Sequence, residues 1–225
     1  MVLVLIATLT SCASSTNAVI QSLQYAFKSN AAADDTRLNP NFRYLRATVD
    51  GKVALLVLGY VDDHPDGPIQ VWYSADREVV RLQNGRVVGA AGTTTEWRNV
   101  YFERLPPWDS LKNSVETFHL VRHRDVMPGY HFGVRDHLIL HSIAAPTRSA
   151  LKGISPEDLK WFEEAIDTND SAGPQQLFRL PPAKYALSST AKQTSVVYGE
   201  QCIDDKLCFS WQQWPPSEIL PNPMQ

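Results

Sequence analysis

The chain is 225 residues long, enough for one domain with a sizeable core. Hydrophobic residues make up 44% and charged residues 20%, a globular balance that excludes an intrinsically disordered protein. A formal charge of -3 and a pI near 6.1 argue against a nucleic-acid partner, and no Lys/Arg run offers a grip on anionic lipid headgroups.

Residues 1–11, MVLVLIATLTS, are apolar or small and carry no charge. That is the length of a signal-peptide h-region and short of the roughly 20 residues a spanning helix needs. The segment ends in Leu9-Thr10-Ser11-Cys12, which resembles the lipobox of bacterial lipoproteins. There a small residue precedes a cysteine whose thiol takes a diacylglycerol, and cleavage leaves that cysteine as the new N-terminus. Cys12 is therefore the expected lipidation site, with palmitate among the expected acyl chains. No Lys or Arg precedes the h-region, so a few basic residues are expected upstream of Met1. Residues 12–16 form a polar linker, and residues 17–225 are expected to make a single β-rich domain.

The domain opens with Ile20, Leu23 and Phe27 at helical spacing, and Ala31–Asp35 connects onward. Strands are then predicted for Tyr44–Val49 and Val53–Val61, joined by Asp50-Gly51, a favoured hairpin pair because both central positions need positive φ. Ile69–Tyr73, Glu78–Leu82 and Arg86–Val88 follow, the last two flanking a second such pair, Asn84-Gly85. Further strands are predicted for Trp97–Phe102, Val115–Val121 and Phe132–Ile143. One helix is predicted from Ser155, with Pro156 at its first position, acids in its first turn and Leu159, Phe162 and Ile166 as its apolar stripe. Strands return at Ser195–Tyr198 and Phe209–Trp214 before a proline-rich, extended tail. The expected fold is mainly β: an antiparallel meander curled into a barrel or sandwich, with one or two short helices.

With Cys12 assigned to the lipid, Cys202 and Cys208 remain, flanking Ile-Asp-Asp-Lys-Leu with turn formers at its centre. A disulfide across a hairpin fits and implies an oxidising compartment; a metal site would want further Cys or His nearby, and none is there.

No specific catalytic motif appears: no Gly-x-Ser-x-Gly elbow, no His-Glu-x-x-His helix, no Gly-rich loop with a following Lys. Three clusters carry chemistry-bearing side chains. His119, His123, His131, His137 and His141 lie close in sequence, but on a strand His137 and His141 stand roughly 13 Å apart, too far for one metal ion. Ordinary surface histidines are expected, and no metal or cofactor. Asp62, Asp63 and Asp66 share one turn whose Pro and Gly make turn-building the simpler role. The run Arg122–Asp136 mixes Arg, Asp, Gly and aromatics, suggesting a polar patch that closes the sheet or meets a partner. Within it Arg124–Asp125 and Arg135–Asp136 could pair locally, although strand neighbours face opposite sides. Six tryptophans and eight tyrosines could stack on sugar rings, core packing being their commoner use.

Several blocks, in order, resemble the YjbF family of group 4 capsule polysaccharide lipoproteins. They are Tyr44–Gly51, Ala54–Asp62, Val71–Ser74, Arg81–Arg86, Gly89–Gly92, Trp97-Arg98, Pro106–Trp108, Val126–Tyr130 with Phe132-Gly133, and the closing Cys202 with Cys208–Glu218. The resemblance implies a largely β, barrel-like envelope lipoprotein associated with exopolysaccharide or capsule export, with no catalytic residues to carry over. Ala13, in place of the Asp that retains lipoproteins at the inner membrane, implies an outer-membrane anchor facing the periplasm. The expected role is a non-enzymatic accessory factor whose partners are the membrane, polysaccharide and export-machinery proteins. The alternatives are a hydrolase or transferase using carboxylates such as Asp62, Asp63 or Asp125, and a scaffold for an export channel.

Overall fold

The structure, a computed structural model, describes Asp34 and residues 37–111, 113–167, 180–189 and 194–216. The expected signal peptide, Cys12, the linker, the helix beginning near residue 17 and most of the proline-rich tail lie outside the described residues. Six strands come first: β1 (Tyr44–Val49), β2 (Lys52–Asp62), β3 (Ile69–Tyr73), β4 (Val79–Gln83), β5 (Arg86–Ala91) and β6 (Glu96–Glu103). A short helix, α1 (Trp108–Leu111), separates them from β7 (Phe118–Met127) and β8 (His131–Ile143). The set closes with β9 (Lys160–Ile166), β10 (Ala183–Ser189), β11 (Thr194–Cys202) and β12 (Cys208–Trp214). Each strand pairs with its sequence neighbours and β12 returns to β1, so the meander is a closed barrel and not a sandwich. Tyr44 stands opposite Trp214 on one side and Val57 on the other.

Local chemistry accounts for the turns. Asp50 and Gly51 take φ of 48° and 75°, and Asn84 and Gly85 take 49° and 74°, the two-residue geometry their sequence predicts. Register shifts between Leu58 and Tyr60, Arg81 and Leu82, and Arg98 and Tyr101 add the local twist that helps a sheet curl onto itself.

Strict alternation sorts the walls. On β7, Leu120, Arg122, Arg124 and Val126 are buried in the lumen, and on β8 so are Val134, Asp136, Leu138 and Leu140. Their outward neighbours include His119, His123, Asp125, Arg135 and His137. That is the reverse of a membrane-spanning barrel, whose outer wall is an apolar band. Among the described residues no helix is long and apolar enough to cross a membrane.

The predicted helix from Ser155 is a correction. Its start signal yields one 3-10 turn, Pro156–Asp158, and the chain then enters β9. Phe162 joins the lumen core, while Trp161 packs outward in a second cluster with Ile154, Leu159, Ala186, Val197 and Tyr198. Burial on both faces therefore mimicked a helical stripe. The β8–β9 connection lies as a strap over this outer face, where the Lys152 N–H donates to Gln212 Oε1 at 2.9 Å and Gln212 Nε2 donates to the Lys152 carbonyl at 2.7 Å. Strand β10 has no counterpart among the strands the sequence predicts, and β7 runs on through Met127 into the segment that reads as a polar patch.

Antiparallel order places alternate connections at opposite mouths. The turns β1–β2, β3–β4, β5–β6, β7–β8 and β11–β12 share the hairpin mouth; β2–β3, β4–β5, the α1 segment and β8–β9 share the helix mouth.

Candidate functional site

Charged side chains fill the middle of the lumen. Asp136 accepts from Arg122 Nε at 2.9 Å and Nη2 at 2.8 Å, and from Arg124 Nε at 2.7 Å and, at its other oxygen, Nη2 at 3.1 Å. Both guanidinia lie over Trp97, 4.6 and 4.8 Å from its ring centre. Burial pushes the Asp136 carboxyl up, but Arg122 and Arg124 outweigh it and hold the group below its usual range. Burial lowers Arg124 in turn, against the pull of Asp136.

A second pair stands nearer the helix mouth. Arg86 Nε donates to Glu164 Oε2 at 2.9 Å, with both side chains only 1% exposed. The Arg86 guanidinium is 4.0 Å from the ring centre of Trp108, and also faces Phe102 and Tyr185. Among the described residues its two terminal amino groups have no hydrogen-bond partner. Tyr185, whose hydroxyl is raised well above its ordinary range by burial and by Glu164, donates to Gln201. Trp108 anchors α1 across this mouth by donating to the Asn84 carbonyl at 2.7 Å and packing on Phe162 and Tyr185.

Beside Arg86 opens a cleft of about 620 Å³, lined among others by Phe102, Arg104, Leu105, Pro106 and Trp108. The hairpin mouth holds a different cavity, of about 730 Å³, with an apolar wall that includes Val49, Leu56, Val80, Ile203 and Phe209. Both volumes fall in the range of small-molecule sites.

The disulfide hairpin belongs to the hairpin mouth. Cys202 and Cys208 are bonded across facing positions of β11 and β12, with Cα atoms 3.9 Å apart. Asp204 within the turn accepts from the Lys206 and Leu207 N–H groups at 2.6 and 2.7 Å and from the Thr95 hydroxyl. Burial raises its carboxyl, yet these donors bring the net position below the ordinary range. Trp97 Nε1 donates to the Ile203 carbonyl at 2.8 Å, stapling the turn to β6.

The other sequence-singled residues scatter. His119, His123 and His141 face outward, each beside an acid: Asp167 at 3.4 Å, Glu103 at 2.6 Å and Glu163 at 4.0 Å. Tyr101 stacks flat on His123 at 4.5 Å. His137 is also an outward residue of β8, and His131 opens that strand. Among the described residues no three His, Cys, Asp or Glu side chains are arranged to hold a metal ion. Asp62 ends β2 at the helix mouth and pairs with Arg81 at 2.8 Å. Asp63 and Asp66 lie in the adjoining turn, Asp66 3.7 Å from His64. Asp125 lies towards the opposite mouth, held by Asn99 at 2.6 Å and the Gly133 N–H at 2.8 Å. Asp62 and Asp125 thus do not share a cleft. The local pairs Arg124–Asp125 and Arg135–Asp136 give way to pairing across the β7–β8 ladder, because adjacent strand residues face opposite walls.

Sequence reasoning missed Arg86 and Glu164. Their separation of 78 residues leaves no local trace. The alternation Leu120-x-Arg122-x-Arg124-x-Val126 was a legible signal, since charge at apolar-periodic positions marks a paired interior.

The sequence matches the family described as "Group 4 capsule polysaccharide lipoprotein gfcB, YjbF" over residues 16–170. No curated protein matches the chain. Among solved structures it is similar to the hypothetical lipoprotein YmcC from Escherichia coli (K12), with a TM-score of 0.59 and 13% identity, covering 95% of this chain and 100% of that one. At that identity the likeness establishes the shared fold. The family match spans well over half the chain, and the chain belongs to the YjbF family of group 4 capsule polysaccharide lipoproteins.

Proposed function

We propose that this protein is a non-enzymatic accessory factor in the production or secretion of exopolysaccharide or capsule, held by lipid on Cys12 at the outer membrane and facing the periplasm. One observation carries the non-enzymatic reading: among the described residues both lumen carboxylates are ion-paired with guanidinia, Asp136 with Arg122 and Arg124, and Glu164 through Oε2 with Arg86. A glycosidase needs a carboxylic acid with a raised pKa to protonate the leaving oxygen, and Asp136 is driven the other way. Family membership supplies the polysaccharide context. The polar outer wall of β7 and β8 supports anchoring by a lipid, not by the barrel itself.

An export scaffold is the second reading. It is favoured by Tyr130 and Phe132, 75% and 66% exposed at the β7–β8 end, where aromatic side chains offer a contact surface.

The test is binding of the protein to exopolysaccharide purified from its source, with polymer size followed over time. Saturable binding at constant size is expected; shortening of the polymer would refute the non-enzymatic claim. Mass analysis of the mature chain tests the anchor: a diacylglyceryl Cys12 at the N-terminus is expected, and an unmodified Cys12 still preceded by residues 1–11 refutes it.

A further inference from the structure

We infer that the cleft at the helix mouth binds an acidic sugar unit, a hexuronate or comparable saccharide oxyanion, with the Arg86 guanidinium as its anion-recognising group. The inference rests on the polysaccharide reading and adds a site and a ligand class to it.

Three features converge. First, among the described residues the lumen charge does not balance: Arg86, Arg122 and Arg124 face Asp136 and Glu164, three guanidinia against two carboxylates. Second, the surplus is localised. Among the described residues Arg86 spends only Nε on Glu164 and leaves both terminal amino groups without a hydrogen-bond partner, although it is 1% exposed and borders the cleft. A buried donor left unpaired carries a desolvation cost, and two such donors on one planar fork match the two oxygens of a carboxylate. Packing against Trp108 at 4.0 Å fixes the plane of that fork before any ligand arrives.

Third, the rest of the cleft suits a sugar better than a bare anion. Asp66 and Asp109 on its wall are acceptors for hydroxyl donors, of which a sugar ring carries several spread around its edge and a compact phosphate few. Pro106 and Pro107 offer apolar surface to a ring face, and Arg104 adds a second cation. The opposite cavity, with its mainly apolar wall, has no comparable buried cation among the described residues and fits this chemistry less well.

The experiment titrates the full chain in mild detergent with tetragalacturonate, with the neutral tetramer made by reducing its carboxyls, and with inorganic phosphate. Saturable binding of the acid tetramer is expected, with the neutral tetramer and phosphate each about tenfold weaker or worse. Because R86Q alone leaves the buried Glu164 with only Arg122, 3.9 Å away, the key variant is R86Q/E164Q, which removes one charge of each sign. It is expected to fold, by circular dichroism, and to lose about tenfold or more in affinity for the acid tetramer. R104A, on an exposed side chain, is expected to weaken binding while leaving stability unchanged.

Equal binding of the neutral tetramer, or full affinity in folded R86Q/E164Q, overturns the inference and leaves the polysaccharide reading intact. Phosphate binding as tightly as the acid tetramer overturns the saccharide assignment. Failure of the acid tetramer to bind also overturns it, and the purified exopolysaccharide then separates the two failures: if that polymer still binds, only the site and ligand class are wrong.

Discussion

Replacing Asp136 by Asn is the most informative single perturbation of the barrel. The amide keeps the volume of the side chain but removes the charge that takes four contacts, of 2.7 to 3.1 Å, from Arg122 and Arg124. It also points an N–H₂ group at donors. Two guanidinia then remain buried, 3% and 1% exposed, with only Glu164, 3.9 Å from Arg122 and already paired with Arg86, as a counter-charge. Breaking a buried pair in this way costs about 3–5 kcal/mol, a large share of a typical domain stability of about 5–15 kcal/mol. Urea unfolding followed by tryptophan fluorescence measures the loss, with Trp97 beneath both guanidinia as an internal reporter.

The pH dependence gives a second readout. Asp136 is lower in the folded state than in the unfolded chain, where it titrates near about 3.9. Its stabilising contribution is therefore complete above that value and disappears as pH falls through the folded-state pKa. The gap between wild type and D136N is expected to be flat above about pH 5 and to close below about pH 4. A loss under about 1 kcal/mol at pH 7, or a gap that stays constant into strong acid, would refute the reasoning. Replacing Arg122, Arg124 and Asp136 together by apolar residues of similar volume is expected to cost less than D136N, since no charge is then stranded.

The paired variant C202S/C208S is expected to lower stability by about 2 kcal/mol, the loop-closure contribution of a short bridge, seen as an earlier urea midpoint that reductant reproduces in wild type. Gly199→Ala places a Cβ 2.8 Å from the Trp211 indole, and thermal unfolding should show a loss of about 1–3 kcal/mol; an unchanged Tm would mean the indole can move aside. On the outer wall, the hydrogen bond from His123 holds the Glu103 carboxyl below its ordinary range. NMR titration of His123→Ala should move Glu103 up towards the ordinary value, with Arg135 and Arg104 still drawing it down, and no change would exclude the pair in solution.

Much of the barrel was legible because hairpins carry their own chemistry. Asp50-Gly51 and Asn84-Gly85 demand positive φ at both central positions, and the strands on either side followed from them. Alternation was readable where one wall is dry and the other wet, as along β8. It failed where both walls are covered. In β9 Phe162 faces the lumen and Trp161 the strap, and in β10 Tyr185 and Leu187 face inward while Ala186 packs outward, so no period of two survives. Strand β10 also lacks β-branched residues, which removed the remaining cue. The site divided along the same line. Arg122, Arg124 and Asp136 sit on one hairpin and were singled out together, whereas the Arg86–Glu164 pair exists only after the barrel closes.

Closure also governs how the molecule carries a load. The lipid anchor proposed on Cys12 would pull on the barrel through β1, which enters at the helix mouth. In an open sheet that first strand would be an edge, and tension could peel it away one hydrogen bond at a time. Here β1 is held on both sides, by six facing positions with β2 and six with β12. Drag on anything the barrel grips would be met along the strand axis by two ladders strained at once. Under such an anchor the seam that completes the cylinder would double as the mechanical clamp on its leash.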